Sequence, residues 1–188
     1  MRKQVLVPVA DGSEEMEAVT IIDILRRAGA EVTIASVGAL QITASRGVKL
    51  VADTTIDSCR HRVFDLIVLP GGIPGAEHLR DSTVLTEMLR QQRDQDRWYG
   101  AICAAPAVVL ARHGLLGPEG ATCHPAFTDQ LPDTRLSDRS VVVAGKCVTS
   151  QGPGTAMAFA LQLVELLFDP ETATDVAAGM VAAFPSRP

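Results

Sequence analysis

Residues 64–72 read Phe64-Asp-Leu-Ile-Val-Leu-Pro-Gly-Gly72, an apolar run broken only by Asp65 and closed by a proline and two glycines. Apolarity without alternation suits a central strand buried on both faces, as in a parallel sheet covered by helices. The glycines at its carboxyl end either let backbone N–H groups approach a ligand or simply make a tight turn. The same texture repeats outward. Gln4–Val9 and Glu31–Ser36 read as earlier strands, and Trp98–Ile102 as a later, shorter one. Longer amphipathic segments separate them, which predicts an α/β fold with a mostly parallel sheet.

Two hairpins are also legible. Residues 40–44 and 48–52 flank Ser45-Arg46-Gly47, and 141–144 and 146–149 flank Gly145. A first helix is expected over 14–28, capped by Ser13, with Glu14 and Glu15 set against its dipole and Gly29 closing it. Others are expected over 104–112, stopped by Gly114; from Gly154 or Thr155 to about Phe168, broken by Asp169-Pro170; and over 171–183. The tail from Phe184 is expected to be loose. No repeat or Pro/Ser-rich linker divides the chain, so residues 1–188 are expected to form a single domain.

An apolar fraction of 47% is ordinary for a globular protein, and aromatics at 4% leave the core to Val, Ile, Leu and Ala. A net charge of -5 with no basic run argues against nucleic acid. No apolar run is long enough to span a membrane, and residues 5–10 are too few for a signal-peptide core. Cys59, Cys103, Cys123 and Cys147 are widely spaced with no CxxC pair, which argues against a disulfide framework or a zinc site. Reduced thiols in a cytoplasm are the expectation.

Cys103 lies in Trp98-Tyr-Gly-Ala-Ile-Cys-Ala-Ala-Pro-Ala107, where small residues permit a sharp strand-to-helix turn that exposes the thiol. A helix start beside it would favour thiolate; alternatively Cys103 is a small buried hydrophobe. Glu17 shares a helical stripe with Ile21, Ile24 and Ala28. It either meets water at the helix end or sits in a crevice, where its pKa would rise and it could hydrogen-bond a thiolate. Gly71 and Gly72 could supply an oxyanion hole together with the amide after Cys103. His124, in Thr122-Cys-His-Pro125, is structural or catalytic. Arg46 is a surface charge or an anion contact.

Five strings in one order, Gly12-Ser-Glu-Glu-Met-Glu-Ala18, Ala44-Ser-Arg-Gly-Val48, Val68-Leu-Pro-Gly-Gly72, Ala101-Ile-Cys-Ala-Ala-Pro106 and Thr149-Ser-Gln-Gly-Pro-Gly-Thr155, resemble the ThiJ/PfpI superfamily, in its deglycase and YajL-like chaperone branch. The resemblance implies a flavodoxin-like three-layer sandwich, one class I glutamine amidotransferase-like domain, and a homodimer. It puts the family's nucleophile on Cys103 and the partner glutamate on Glu17. The oxyanion amides fall on Gly72 and Ala104, with Gly71 beside them. The anion-contacting arginine falls on Arg46, and the active-site histidine on His124.

The activity so implied is deglycase or cofactor-independent glyoxalase chemistry on methylglyoxal, glyoxal and their early adducts on proteins or nucleotides, in oxidative and carbonyl stress defence. No metal or organic cofactor is implied. The alternative is a redox-sensing chaperone that binds unfolded clients and is regulated by oxidation of Cys103. Protease-like relatives carry a histidine directly after the cysteine; Ala104 stands there, so peptidase activity is not expected.

Overall fold

The computed structural model describes residues 2–183. Its strands are β1 (Gln4–Val9), β2 (Glu31–Ser36), β3 (Gln41–Thr43), β4 (Lys49–Val51), β5 (Thr54–Thr55), β6 (Leu66–Leu69), β7 (Trp98–Ile102), β8 (Val141–Ala144) and β9 (Cys147–Ser150). The helices are α1 (Glu15–Arg27), α2 (Gly75–Asp81), α3 (Thr83–Asp94), α4 (Ala156–Leu167) and α5 (Pro170–Gly179). One seven-stranded sheet has the order β5-β2-β1-β6-β7-β9-β8, parallel throughout except for β8 against β9. Its five inner strands follow the flavodoxin-like order, with helices on both faces.

The pleat sorts side chains between two apolar layers. Val5, Val7 and Val9 of β1 join Leu66 and Val68 of β6 on the face covered by Ile21 and Leu25 of α1 and Phe159 of α4. Leu6, Ile67, Leu69 and Tyr99 point the other way, to Leu79 of α2 and Leu85 and Leu89 of α3. The uniform apolarity of 64–69 follows from this two-sided burial. The strand begins two residues later than expected, because Asp65 turns its Oδ2 onto the Gln4 N–H at 2.7 Å.

Several local expectations change. Ser13 is not the cap of α1: its buried hydroxyl accepts the Ala10 N–H at 3.0 Å, and Glu14 caps the helix. The α-helix expected over 104–112 is instead a wide π-type turn over Pro106–Ala111, after which the Leu115 N–H reaches back to Leu110 O at 2.8 Å. Proline opens it without an N–H, and the wider turn buries Ala107, Val108, Val109 and Leu110 in succession. Helix α5 stops at Gly179 rather than 183, with Val181 at φ +57° turning the chain. The tail from Phe184 lies outside the described residues.

The 40–52 hairpin is a separate two-stranded sheet, whereas β9 of the second hairpin enters the main sheet beside β7. Strand β5, helices α2 and α3 and the short 3-10 turns over Ile56–Cys59 and Pro125–Gln130 were not read individually from the sequence. Among the described residues no helix is long and apolar enough to cross a membrane.

Candidate active site

The carboxyl ends of β1, β6, β7 and β9 converge on one edge of the sheet, and the site is built from the turns that follow them. Glu17 lies in the first turn of α1, fully buried. Its Oε2 accepts the Gly71 N–H at 2.7 Å. Burial raises its pKa to about 7, against the pull of that hydrogen bond and of the Cys103 thiol; the nearby Glu14 charge adds to the rise. The crevice alternative therefore holds for this carboxyl, not the solvated one.

Cys103 follows β7 in the left-handed backbone region, φ +65°, a sparsely populated conformation for a residue with a Cβ. It is half-buried, whereas Cys59, Cys123 and Cys147 are buried. The thiol lies against the Glu17 carboxyl without an aligned hydrogen bond, leaving Oε1 buried and unpaired. Backbone N–H groups of Gly72 and Ala104 aim at the sulfur. They do not prevail. Burial and the facing carboxylate push the thiol up to about 12, so the preformed thiolate expected from a helix start is corrected. The six-residue turn after Cys103 is too short to supply much of a dipole. Burial thus raises both acids, and the Glu17 carboxylate opposes ionisation of the thiol.

Close backbone packing makes this proximity possible. A Cβ on Gly71 would stand 2.6 Å from that of Cys103. Gly72, at φ +86°, presses on Gly12 O and Glu14 N, where a Cβ would come within 2.4 and 2.6 Å. The glycine pair thus lets three turns meet.

A cavity of about 200 Å³ opens above the thiol, lined by Cys103, Gly72, Ala104, His124, Arg46 and Glu14, with Ser45, Ile73, Phe127 and Pro153 completing it. The cavity brings five of the seven sequence-predicted positions together; Glu17 and Gly71 lie buried beneath Cys103. His124 is tied to the thiol loop by its own N–H, which donates to Cys103 O at 2.8 Å. Its Nδ1 accepts the Ala126 N–H at 3.2 Å, leaving Nε2 to carry the proton of the neutral ring. Arg46 is exposed, and its backbone N–H is held by Glu15 at 2.9 Å.

Glu14 and Glu15, read from sequence as charges facing a dipole, do stand at the start of α1 and also anchor the β3–β4 hairpin. Ser45 Oγ donates to Glu14 Oε2 at 2.6 Å and to Glu15 Oε2 at 3.0 Å. Burial works against the charge on Glu15, but hydrogen bonds from its own backbone, Ser45, Arg46 and Val48 hold its pKa below the usual value. Ser45 and Pro153 stood in quoted strings, a signal that was available; nothing local marked Ile73 or Phe127 as cavity walls. Among the described residues no group of three or more His, Cys, Asp or Glu side chains is placed to hold a metal. A depression of about 430 Å³ lies elsewhere and one of about 440 Å³ adjoins this cavity; neither is lined by a thiol.

Fold and site together define a flavodoxin-like α/β protein with a half-buried cysteine on a left-handed turn against a buried glutamate. The DJ-1/PfpI family model matches residues 3–166, and the chain belongs to that family. It is 50% identical over 169 residues to Protein DJ-1 homolog B of Arabidopsis thaliana, covering 89% of this chain and 39% of that protein. It therefore spans about two fifths of the length of that relative. It is 37% identical over 169 residues to Glutathione-independent glyoxalase DJR-1.2 of Caenorhabditis elegans, covering 89% of each. The structure of oxidized Toxoplasma gondii DJ-1 superimposes with a TM-score of 0.94 at 49% identity, over 97% of this chain and all of that one.

Proposed function

We propose that this chain is a cysteine-dependent enzyme that converts α-oxoaldehydes such as methylglyoxal and glyoxal to 2-hydroxy acids without glutathione. Acting as a deglycase on their early protein and nucleotide adducts belongs to the same reading. The observation that carries it is the half-buried Cys103 thiol against the buried Glu17 carboxyl, at the floor of a cavity sized for a small aldehyde. The name of the nematode relative supports the reaction class. Four free thiols suit a reducing compartment such as the cytoplasm.

In the first step Cys103 Sγ bonds to the aldehyde carbon while Glu17 takes the thiol proton. The carbonyl oxygen becomes an oxyanion facing the Gly72 and Ala104 N–H groups, then receives that proton from Glu17 to give a thiohemiacetal. The freed carboxylate removes the hydrogen from the thiohemiacetal carbon. His124 relays the hydroxyl proton to the neighbouring ketone oxygen, and Glu17 returns its proton to that second carbon. The product is a thioester bearing an adjacent hydroxyl. Water breaks the carbon–sulfur bond, releasing the 2-hydroxy acid and restoring the thiol. One carbon is oxidised as its neighbour is reduced, so the balance needs only water. Arg46 stands at the rim, where an anionic product would pass. Peptide hydrolysis is outside this reading, since a methyl group at Ala104 replaces the adjacent base.

The test is methylglyoxal consumption without glutathione, with lactate measured as product. We expect Cys103→Ser to abolish turnover and Glu17→Gln to slow it by about 100-fold or more. Turnover that survives in Cys103→Ser, or none in the wild type, overturns the proposal.

A further inference from the structure

We propose that a second depression beside the thiol cavity is a specificity subsite for a carboxylate at the far end of the carbonyl substrate, a proposal that rests on Cys103 as the group attacking the aldehyde. The depression, about 440 Å³, is lined by Ile73, Glu77, Arg80, Val108, Arg112 and Phe127, among others. Ile73 and Phe127 also line the Cys103 cavity, so the two share a wall. The thiol cavity, at about 200 Å³, holds the α-oxoaldehyde head. A substrate whose tail passes Ile73 and Phe127 enters this neighbour.

Its chemistry is specific. Ala107, Val108 and Phe127 offer an apolar bed for methylenes. Two arginines, Arg80 and Arg112, border it, in a chain whose net charge is -5. Arg80 is already engaged, its Nε and Nη2 donating to Asp81 at 2.7 and 2.9 Å. Arg112, on the turn that follows Cys103, makes no side-chain hydrogen bond or ion pair among the described residues. Its planar fork matches a carboxylate in two-pronged fashion. Glu77 on the same rim opposes a high negative charge, which favours a carboxylate monoanion over a phosphate dianion. The ligand class is therefore an α-oxoaldehyde bearing a carboxylate beyond a short methylene spacer.

Two measurements separate this subsite from the underlying reaction. Protection of Cys103 from iodoacetamide by 4-oxopentanoate and by its methyl ester reads binding without turnover. Turnover of 4,5-dioxopentanoate against its methyl ester reads the same preference in kcat/KM. We expect the acid to outperform the ester by about tenfold in both, the size of a hydrogen bond to a charged group. Arg112→Met should bring acid and ester to parity, while Arg112→Lys keeps part of the preference and controls for folding. Equal protection by acid and ester in the wild type, protection by neither, or an undiminished preference in Arg112→Met overturns the subsite. Absence of methylglyoxal turnover overturns the proposed enzyme but leaves the protection result to judge the subsite. Methylglyoxal turnover with no acid preference leaves the enzyme standing and removes the subsite.

Discussion

Glu17 holds a proton more tightly folded than unfolded, and this has a thermodynamic sign. Its pKa stands at about 7 in the fold against an ordinary 4.5. Between those values the native state binds more protons than the unfolded chain. The group's contribution is therefore most favourable below about pH 4.5, declines as pH rises through 7, and levels off above. The full change corresponds to about 3 kcal/mol. A neutral glutamine escapes this penalty, so Glu17→Gln should melt higher than wild type at pH 8, by about 2–4 °C per kcal/mol, with no such gain at pH 4.5. Calorimetry at the two pH values checks it; an equal difference at both would remove the buried-charge explanation. The same titration should make kcat/KM of the wild type rise with pH through about 7. Both residues of the pair were legible from their motifs. The direction of the thiol's shift was not, because it depends on burial and on a carboxylate 86 residues away in sequence.

At the scale of elements, the site exists because three turns pack backbone against backbone. Gly71→Ala would push a methyl into Cys103 Cβ, 2.6 Å away, with Ile102 O at 2.8 Å and Ala104 N at 3.0 Å. No flexible side-chain end can yield there. We expect the variant to lose at least 1–3 kcal/mol, on the scale of overpacked cores, and most of its Cys103 alkylation selectivity. Denaturant melts and peptide mass spectrometry check this; a wild-type profile in both would mean the turns are looser than drawn. The strands flanking this edge were readable because two-sided burial leaves continuous apolar runs. Helices α2 and α3 were not read individually; only Ser82 separates them, its hydroxyl accepting the Leu85 N–H at 3.3 Å. The wide turn after Cys103 has no periodicity to betray it. It arises from Pro106 and the depth of its burial.

For the whole molecule, two apolar layers share one sheet, and we propose that residues 1–188 unfold as one unit. A third apolar surface remains outside. Met16 and Val19 of α1 are 60% and 49% exposed, and Val51 of β4 is 66% exposed. Beside them a depression of about 310 Å³ is lined by Val9, Ile22, Leu50 and others. Ile22 is buried at the floor of that depression. This patch fits the proposed homodimer. Light scattering should give a dimer at micromolar concentration, and Val51→Glu should give a monomer that retains its secondary structure. A wild-type monomer, or a Val51→Glu dimer of undiminished affinity, would move the interface elsewhere or abolish it.

The sequence alone determined what is local or periodic. Apolar runs announced a parallel sheet with helices on both faces, and glycines beside short motifs marked where its edge turns. Cys103 and Glu17 stood out because small residues around a thiol and an acid on an apolar stripe are locally anomalous. Only the tertiary structure decided what depends on distant chains meeting. It placed Glu15 under the Ser45 hairpin, put Ser13 to work on a buried amide, and set Arg112 on the depression that shares Ile73 and Phe127 with the thiol cavity. It also raised the thiol's pKa where a helix start had suggested lowering it. Desolvation and charge act through space within a few ångströms, and the fold alone sets which residues come that near.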